Sequence, residues 1–318
     1  MQPITRYLNG EIRAYHIPPF SGSGSTLEPA ATYPVDPRST DNSRWLIHAV
    51  TPSLDRAAYL NRDSVMCINQ TGHLVWRYYL EPLYAYDSVA SGQCAFSRDG
   101  SYLWVYRPDA MNDRGPDLLV VLDPDSGDEI ARVELDSVGQ GATFAVHPDG
   151  RTLLLDVGEG QDGVKVYRAV LSHKDKNIDL HAYEWDDRCL VDMAPDHQTF
   201  MTFDHGGRDV AFHAFPSGDI VLRLAVGDFG YEDDEACVHY MGGFLDSQTA
   251  VVTVKGETDD EEWLHYHTVD VRTGEHLGRI DAHSRDEEAG DFQPLGDGTW
   301  VVADADGNPA RHRLLTTF

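Results

Sequence analysis

The stretch from Gly92 to Leu135 decides the fold, and it reads GQCAFSRDGSYLWVYRPDAMNDRGPDLLVVLDPDSGDEIARVEL. Four short runs alternate with polar stretches, at Gln93–Phe96, Tyr102–Tyr106, Leu118–Leu122 and Glu129–Leu135. The turns at Asp99-Gly100 and Ser126-Gly127 are typical of hairpins, because glycine adopts positive φ without steric strain. The stretch therefore predicts one antiparallel sheet of four strands.

Both turns of this unit recur along the chain. The second turn has five copies, each a small polar residue, glycine and an alternating run with arginine: NGEIRAY (9–15), TGHLVWR (71–77), SGDEIAR (126–132), SGDIVLR (217–223) and TGEHLGR (273–279). The first turn has six marker aspartates, spaced 44 to 51 residues apart: Asp55, Asp99, Asp149, Asp196, Asp246 and Asp297. Internal repeats at this spacing predict a solenoid or a propeller.

The turns AFSRDG (95–100) and AVHPDG (145–150) resemble those of the WD40-like and YVTN-like β-propeller superfamily. In that superfamily a blade opens with a strand, a Ser/His-Pro-Asp-Gly turn and a second strand. The resemblance covers nearly the whole chain and implies one all-β domain over residues 1–318. No blade ends in Trp-Asp at the matching place, and no Gly-His pair begins one. The buried Asp-His-Ser/Thr-Trp network and the scaffold role of WD40 proteins are therefore not carried over.

Counting the copies predicts a six-bladed β-propeller, with its four-stranded blades in residues 44–318. The last blade, Gly290–Phe318, has room for three strands, and Glu11–Ile17 within the closing segment 1–18 is expected to add the fourth. Such a strand would close the ring and remove an exposed sheet edge. Residues 19–43 are rich in Pro, Gly, Ser and Thr and are expected to be a strandless connection or a disordered linker. The alternative is a seventh blade that starts at Ile4–Leu8 and is completed by parts of 19–43.

The composition is strongly acidic, with 25 Lys and Arg against 53 Asp and Glu and a formal net charge of −28. This charge repels nucleic acids and anionic membranes, so neither is an expected partner. It favours a cationic small molecule or a basic peptide or protein, or else it serves only solubility or adaptation to salt. Neither a signal peptide nor an apolar run of membrane-spanning length is visible, so we expect a cytoplasmic monomer. The four cysteines form no CxxC motif, and we expect buried free thiols, no metal and no cofactor.

The propeller resemblance implies that the first strand of each blade lines a central channel. The polar residues at the heads of these strands are His48, Gln93, Thr143, Asp192, His239 and Asp291. Two histidines and two aspartates, His48, His239, Asp192 and Asp291, are candidates for acid–base catalysis. The alternative is that channel walls are polar simply because they meet water.

Acidic residues cluster in the connections between blades, at Asp87, Asp136, Asp186, Asp187, Glu232–Glu235 and Asp286–Glu288. In a propeller these connections share one face, where an acidic rim would concentrate cations. Tyr231 and Tyr240 lie in or beside these connections, and tyrosine next to carboxylate suits an amine or guanidinium ligand. The predicted ligand-binding residues are Gln93, Thr143, Tyr231, Tyr240, Asp187, Glu232, Asp234 and Glu287. A solvated surface of an acidic protein is the alternative reading of the same pattern.

Two functions remain open from the sequence. The first is a binding module whose acidic face takes a cationic small molecule, a peptide or a basic protein. The second is a lyase or hydrolase of small metabolites that uses the channel histidines and aspartates as acid and base. No GxSxG, P-loop or HExxH motif is present to indicate a reaction.

Overall fold

The computed structural model describes residues 2–37, 46–61, 63–80, 90–172, 174–185, 187–232, 234–257, 262–282 and 291–314. Its strands are numbered β1 to β27 in chain order, and they form seven antiparallel sheets in this described part of the chain. The chain divides into two compact units. Unit 1 comprises Met1–Pro18 and Glu28–Glu184, and unit 2 comprises Pro19–Leu27 and Trp185–Phe318.

Unit 1 holds four of the sheets. One has three strands in the order β1-β2-β4, and the others run β5 to β8, β9 to β12 and β13 to β16. The strand bounds are β1 Ile4–Leu8, β2 Glu11–Tyr15, β4 Ala31–Pro34, β5 His48–Val50, β6 Arg56–Leu60, β7 Ser64–Asn69, β8 Leu74–Tyr79, β9 Gln93–Phe96, β10 Leu103–Arg107, β11 Leu118–Leu122, β12 Glu129–Glu134, β13 Gly141–Val146, β14 Thr152–Gly158, β15 Val164–Ser172 and β16 Asn177–Ala182. Short 3-10 turns lie at Ala110–Asn112 and Gly160–Asp162.

Unit 2 holds the other three sheets, which run β17 to β20, β21 to β24 and β25-β26-β27-β3. The bounds are β3 Ser25–Thr26, β17 Arg188–Met193, β18 Thr199–Asp204, β19 Asp209–Ala214, β20 Ile220–Ala225, β21 Ala236–Phe244, β22 Thr249–Glu257, β23 Glu262–Asp270, β24 His276–Ile280, β25 Gln293–Pro294, β26 Thr299–Ala303 and β27 Pro309–Arg313. A 3-10 turn at Val226–Phe229 connects β20 to β21.

The sheets pack face to face within each unit, and their apolar side chains form the core. One cluster fills the space between the sheets β9–β12 and β13–β16, with Trp104, Leu119, Leu153 and Tyr167 almost fully buried. Comparable clusters join the other neighbouring sheets of each unit. Burial on both faces explains why the second and third strands read as continuous apolar runs rather than as strict alternation.

The prediction of six blades is wrong, because the described residues form seven sheets, and the alternative of seven is confirmed. The additional sheet begins with β1, and β4 from the Pro/Gly/Ser-rich stretch is its third strand. The expected closing strand is also wrong. Residues Glu11–Tyr15 form β2 in the middle of this sheet, and the two-residue strand β3 pairs with β27 instead. Residues 19–43 are therefore not a strandless connection.

The turn aspartates have the structural role that their spacing predicts. Five of them accept the backbone N–H two residues ahead: Asp99, Asp149, Asp196, Asp246 and Asp297. Asp55 instead accepts the hydroxyl protons of Thr51 and Ser53. Each side chain thus satisfies a donor that the tight turn leaves without a strand partner, which explains why the residue type repeats.

The four cysteines are free thiols in the structure. Cys67 and Cys94 are buried, which confirms the sequence expectation for these two, whereas Cys189 and Cys237 are only partly covered.

Candidate functional site

Two β-bulges in unit 2 lie at strands that carry predicted site residues. The pairing of β17 with β18 shifts between Leu190 and Asp192, and that of β21 with β22 shifts between His239 and Gly242. The Asp192 carboxylate accepts the backbone N–H of Phe244 on the neighbouring strand β21, at 2.9 Å, and that of Met193 at 2.7 Å. Asp192 therefore satisfies backbone donors at a bulge.

Other predicted polar residues make similar links. The Asp291 carboxylate accepts the N–H of Ala303 at 2.6 Å. The Gln93 side chain accepts the N–H of Cys94 and donates to the carbonyl of Ala142 on β13. Thr143 is exposed, and its backbone N–H donates to the Asp156 carboxylate. The structure shows these groups as parts of the sheet framework, and their role in ligand binding stays a prediction.

The two predicted catalytic histidines lie in different units. His48 begins β5, and its Nδ1 lies 2.6 Å from the carbonyl oxygen of Leu46. His239 lies in β21, and its ring contacts that of Tyr240 at 4.0 Å between centroids. Burial lowers the pKa of both imidazoles. Within the described residues neither histidine makes a hydrogen bond to a carboxylate, so an acid–base role for them stays a prediction.

Among the predicted residues, those in the connection from β20 to β21 form the most distinctive site. Its 3-10 turn buries Val226 and Phe229, and the Asp228 carboxylate accepts the N–H of Ala225 at 2.7 Å. Gly230 ends the turn in the left-handed conformation, with φ of 86°. These features fix the backbone and turn the next residue, Tyr231, towards β23.

Tyr231 packs into a cluster of aromatic and histidine rings on the sheet β21–β24. Its ring centroid lies 5.1 Å from that of Trp263. Its hydroxyl lies 2.7 Å from His265 Nδ1 and 3.0 Å from His267 Nε2. His267 Nδ1 lies in turn 2.9 Å from His276 Nε2. Four titratable side chains therefore form one continuous hydrogen-bonded chain.

The chain of hydrogen bonds has a direction. The single hydroxyl proton of Tyr231 is donated to one histidine, so the other histidine must donate its own N–H to the tyrosine oxygen. Burial, the charge of Arg279 and the neighbouring histidines lower the pKa of His267, to about 4. Burial and Arg279 also lower the pKa of His265. Both imidazoles are therefore neutral near pH 7, whereas Arg279 places a positive charge near Tyr231.

An open cleft of about 540 Å³ lies in front of this cluster, lined by Gly227, Gly230, Tyr231, Glu232 and Asp234. The side chains of Glu232 and Asp234 are exposed. The cleft joins a fixed aromatic ring to two carboxylates, and its described lining carries no basic side chain. Such a lining can hold an amine or a guanidinium by ion pairing and contact with the ring.

The remaining predicted ligand residues are not placed in this cleft. Asp187 has a positive φ of 57°, and its carboxylate lies 2.9 Å from His205 Nδ1. Tyr240 lies within the bulge of β21, and half of its surface is exposed. Glu287 lies outside the described residues, as do Asp87, Asp186, Asp286 and Glu288 of the predicted acidic rim. The cleft thus unites three predicted residues, Tyr231, Glu232 and Asp234.

Sequence reasoning missed the histidines of the cluster. His265 and His267 are two positions apart on one strand, so their side chains share a face of the sheet. This spacing of two positions was the signal in the sequence that could have predicted a histidine pair on one face of the sheet. Their connection to Tyr231 was not visible, because it depends on how the β20–β21 connection folds back onto β23.

A second buried network was also missed, in the sheet β17–β20. Arg188 donates from Nε to Thr202 Oγ1 at 2.7 Å, and its Nη2 lies 2.8 Å from Asp209 Oδ1. Thr202 Oγ1 lies 2.8 Å from His213 Nε2, and His213 Nδ1 lies 3.0 Å from the carbonyl of Gly218. Because the Gly218 carbonyl can only accept, His213 donates its Nδ1 proton to it, and the Nε2 of the neutral ring accepts the hydroxyl proton of Thr202.

His213 makes stability depend on pH. It is fully buried, and burial lowers its pKa from 6.5 to about 4. Between these pH values the unfolded chain binds a proton that the folded chain does not, so stability is complete above about pH 6.5 and falls towards pH 4. The loss of stability attributable to His213 is up to about 3 kcal/mol.

Urea unfolding at pH 7.5 and 5.0 should show that stability depends less on pH in His213→Gln than in the parent protein. The exposed control His181→Gln should leave the pH dependence unchanged. An unaltered pH dependence in His213→Gln would contradict this assignment.

The fold defines this chain as an all-β propeller protein, and comparisons with known proteins agree on the fold. No family model matches the chain, and no curated protein matches its sequence. Chaetomium thermophilum Sqt1, solved bound to the N-terminus of the ribosomal protein L10, is 16% identical with a TM-score of 0.56, over 96% of this chain and 79% of that one. The dihydro-heme d1 dehydrogenase NirN is 15% identical with a TM-score of 0.52, over 97% of this chain and 62% of that one.

A third similar structure is the β-propeller domain of Cps50 (Swd1) from Myceliophteria thermophila. It is 7% identical with a TM-score of 0.45, over 85% of this chain and 96% of that one. The sheets of the described residues and their similarity to Sqt1 confirm the resemblance to WD40-like propellers at the level of the fold. Separately, none of the helices in the described residues is long and apolar enough to span a membrane.

Proposed function

We infer that the chain is a binding module that takes a cationic side chain of a basic peptide or protein segment in the cleft at Tyr231. The observation that carries this function is the lining itself, a fixed tyrosine ring beside the exposed carboxylates of Glu232 and Asp234. Lysine and arginine match both features, through ion pairing and contact with the ring face.

The charge of the whole chain supports the same partner. A net charge of −28 attracts basic segments over a distance set by the ionic strength. Sqt1, which shares the fold, was solved with the N-terminus of a ribosomal protein. Binding of a terminal peptide segment is thus compatible with a propeller of this kind.

Binding is expected to weaken steeply with salt. A short fluorescent peptide of alternating lysine and glycine serves as the probe, and its anisotropy gives Kd at about 50 mM and about 500 mM salt. The Debye length is longer than about 10 Å at the lower salt concentration and shorter than about 10 Å at the higher one. The double variant Glu232→Gln/Asp234→Asn should bind roughly 5- to 30-fold more weakly at low salt. Tyr231→Leu should bind roughly 2- to 5-fold more weakly, because the contact with the ring face is lost.

The matched control is Glu275→Gln/Asp306→Asn, which removes two exposed carboxylates of unit 2 from turns outside the cleft. The control should retain nearly all of the affinity. Salt-independent binding, or an equal loss in both double variants, would overturn the proposed function.

A further inference from the structure

The hydroxyl group of Tyr231 is already used by the protein, and this limits what the cleft can recognise. The oxygen lies 2.7 Å from His265 Nδ1 and 3.0 Å from His267 Nε2. The hydroxyl therefore donates its single proton to one imidazole and accepts the N–H of the other. A ligand in the cleft meets the ring of Tyr231 rather than a free hydroxyl group.

One face of the Tyr231 ring is covered by Trp263. The two ring centroids lie 5.1 Å apart and the planes differ by 31°, so the indole is stacked on the phenol ring rather than beside it. Trp263 is held in turn by His265, whose ring stacks on it at 4.3 Å between centroids. The described lining of the cleft includes Tyr231 but not Trp263. The opposite face of Tyr231 is therefore the one that a ligand can cover.

Two glycines keep the space at this face open. Gly227 and Gly230 line the cleft, and a Cβ added at either would meet no atom within 4 Å. A flat group can thus approach the ring without displacing a side chain.

The two carboxylates of the cleft are available to a ligand. Glu232 and Asp234 follow Tyr231 in the same connection, and both side chains are exposed. Within the described part of the chain, neither carboxylate makes a hydrogen bond or an ion pair. A cation on the ring of Tyr231 can therefore pair with them without breaking an existing contact.

Arg279 is the opposing charge in this region. It lies opposite His267 in the pairing of β23 with β24, and its positive charge acts on Tyr231. Its side chain is exposed and does not belong to the described lining of the cleft. Solvent and salt screen its repulsion, whereas a ligand in the cleft lies directly beside the two carboxylates.

We propose that the cleft selects arginine over lysine, an inference that rests on the proposed function. The guanidinium plane stacks on the open face of Tyr231, and its edge is directed to Glu232 and Asp234. A stacked guanidinium keeps its five N–H groups in its own plane, so contact with the ring and ion pairing occur together. The ammonium group of lysine is compact and strongly hydrated, and it must lose water to contact the ring. A single open face also does not enclose a methylated ammonium, which binds within a cage of several rings.

The test compares three fluorescent peptides of equal length and charge, in which glycine alternates with arginine, lysine or trimethyllysine. Because their long-range attraction to the protein is the same, differences in Kd report the contacts at short range. Anisotropy at about 50 mM salt should show the arginine peptide binding about 3- to 10-fold more tightly than the lysine peptide. The trimethyllysine peptide should bind no more tightly than the lysine peptide.

Three variants assign this preference to the ring. Tyr231→Leu should reduce the preference for arginine to less than about twofold, because the stacked contact is lost. Tyr231→Phe keeps the ring face and should retain most of the preference, and it keeps the test valid if Tyr231→Leu does not fold. The control Tyr79→Leu removes a half-exposed tyrosine of unit 1 and should leave the preference unchanged.

The possible failures of the two proposals are distinguishable. Equal affinity for the arginine and lysine peptides would overturn the selectivity and leave the proposed function standing. Tighter binding of the trimethyllysine peptide, a full preference in Tyr231→Leu or a loss of the preference in Tyr231→Phe would have the same consequence. If none of the three peptides binds, the proposed function itself is wrong, and the selectivity with it.

Discussion

Replacing Asp117 by alanine is expected to lower the free energy of unfolding by about 3–5 kcal/mol. The carboxylate is fully buried and accepts four hydrogen bonds of 2.8 to 3.0 Å, which join the β10–β11 connection to the β12–β13 connection. Without it, the N–H groups of Ala110 and Gly139 and two hydroxyls lose their acceptor inside the protein. Each buried donor without a partner costs about 1–3 kcal/mol.

The measurement is urea unfolding at pH 7.5. A lower midpoint with an unchanged slope would report a loss of stability alone. The control is Asp179→Ala, which removes an exposed carboxylate from β16 and should change stability by no more than about 0.5 kcal/mol. A loss below about 1 kcal/mol for Asp117→Ala would contradict the role given to this network.

Replacing Arg188 by leucine is expected to destabilise the protein by about 3–5 kcal/mol as well. Only 4% of the Arg188 side chain is exposed, and it bonds Thr202 and pairs with Asp209. Its loss leaves the Asp209 carboxylate, 13% exposed, without its near partner, and removes the donor that orients Thr202 towards His213.

Two further variants separate this effect from loss of charge in general. Arg223→Leu removes a half-exposed arginine that lies 3.8 Å from the same Asp209, and should cost no more than about 0.5 kcal/mol. Arg188→Leu/Asp209→Leu should be more stable than Arg188→Leu alone, because no unpaired buried charge remains. A double variant that is less stable than the single one would contradict this explanation.

The repeated turns were predictable because their chemistry is local. Asp99 and its counterparts bond backbone atoms two residues away, so the short sequence around each turn contains the whole interaction. The glycines after Ser126 and Thr273 adopt φ of 75°, a conformation that favours glycine. The aspartate turn recurs in six of the seven sheets of the described residues and the glycine turn in five, and these signals carried the prediction of the fold.

The seventh sheet was only an alternative because its pairing is not local. Strand β3 has two residues and no alternating pattern, and β4 pairs with β2 across the intervening segment that includes β3. No short-range signal in residues 19–43 shows these partners. The sequence correctly predicts a hairpin at the Asn9-Gly10 turn. It does not show to which sheet that hairpin belongs.

The candidate site was predictable only in part. Tyr231, Glu232 and Asp234 follow from the acidic connections and their aromatic neighbours. The contact of the His267 ring with Tyr231 depends on tertiary packing, and so does the position of Trp263. The Trp263 ring packs so closely on Gly256 that a Cβ added at Gly256 would lie only 2.0 Å from it. The contacts of Arg107 and Arg114 with Asp109 could not be predicted, because a mixed polar loop gives no sign that two buried guanidinium groups will lie beside one carboxylate.

Hydrogen exchange of the full-length protein with the basic peptide tests the central claim most directly. At a peptide concentration that saturates the anisotropy signal, backbone exchange should slow in residues 226–240, which hold Tyr231 and the start of β21. Exchange in the turn at 270–276 of the same sheet should not change. Protection confined to other segments, with residues 226–240 unaffected, would contradict the assignment of the cleft as the binding site.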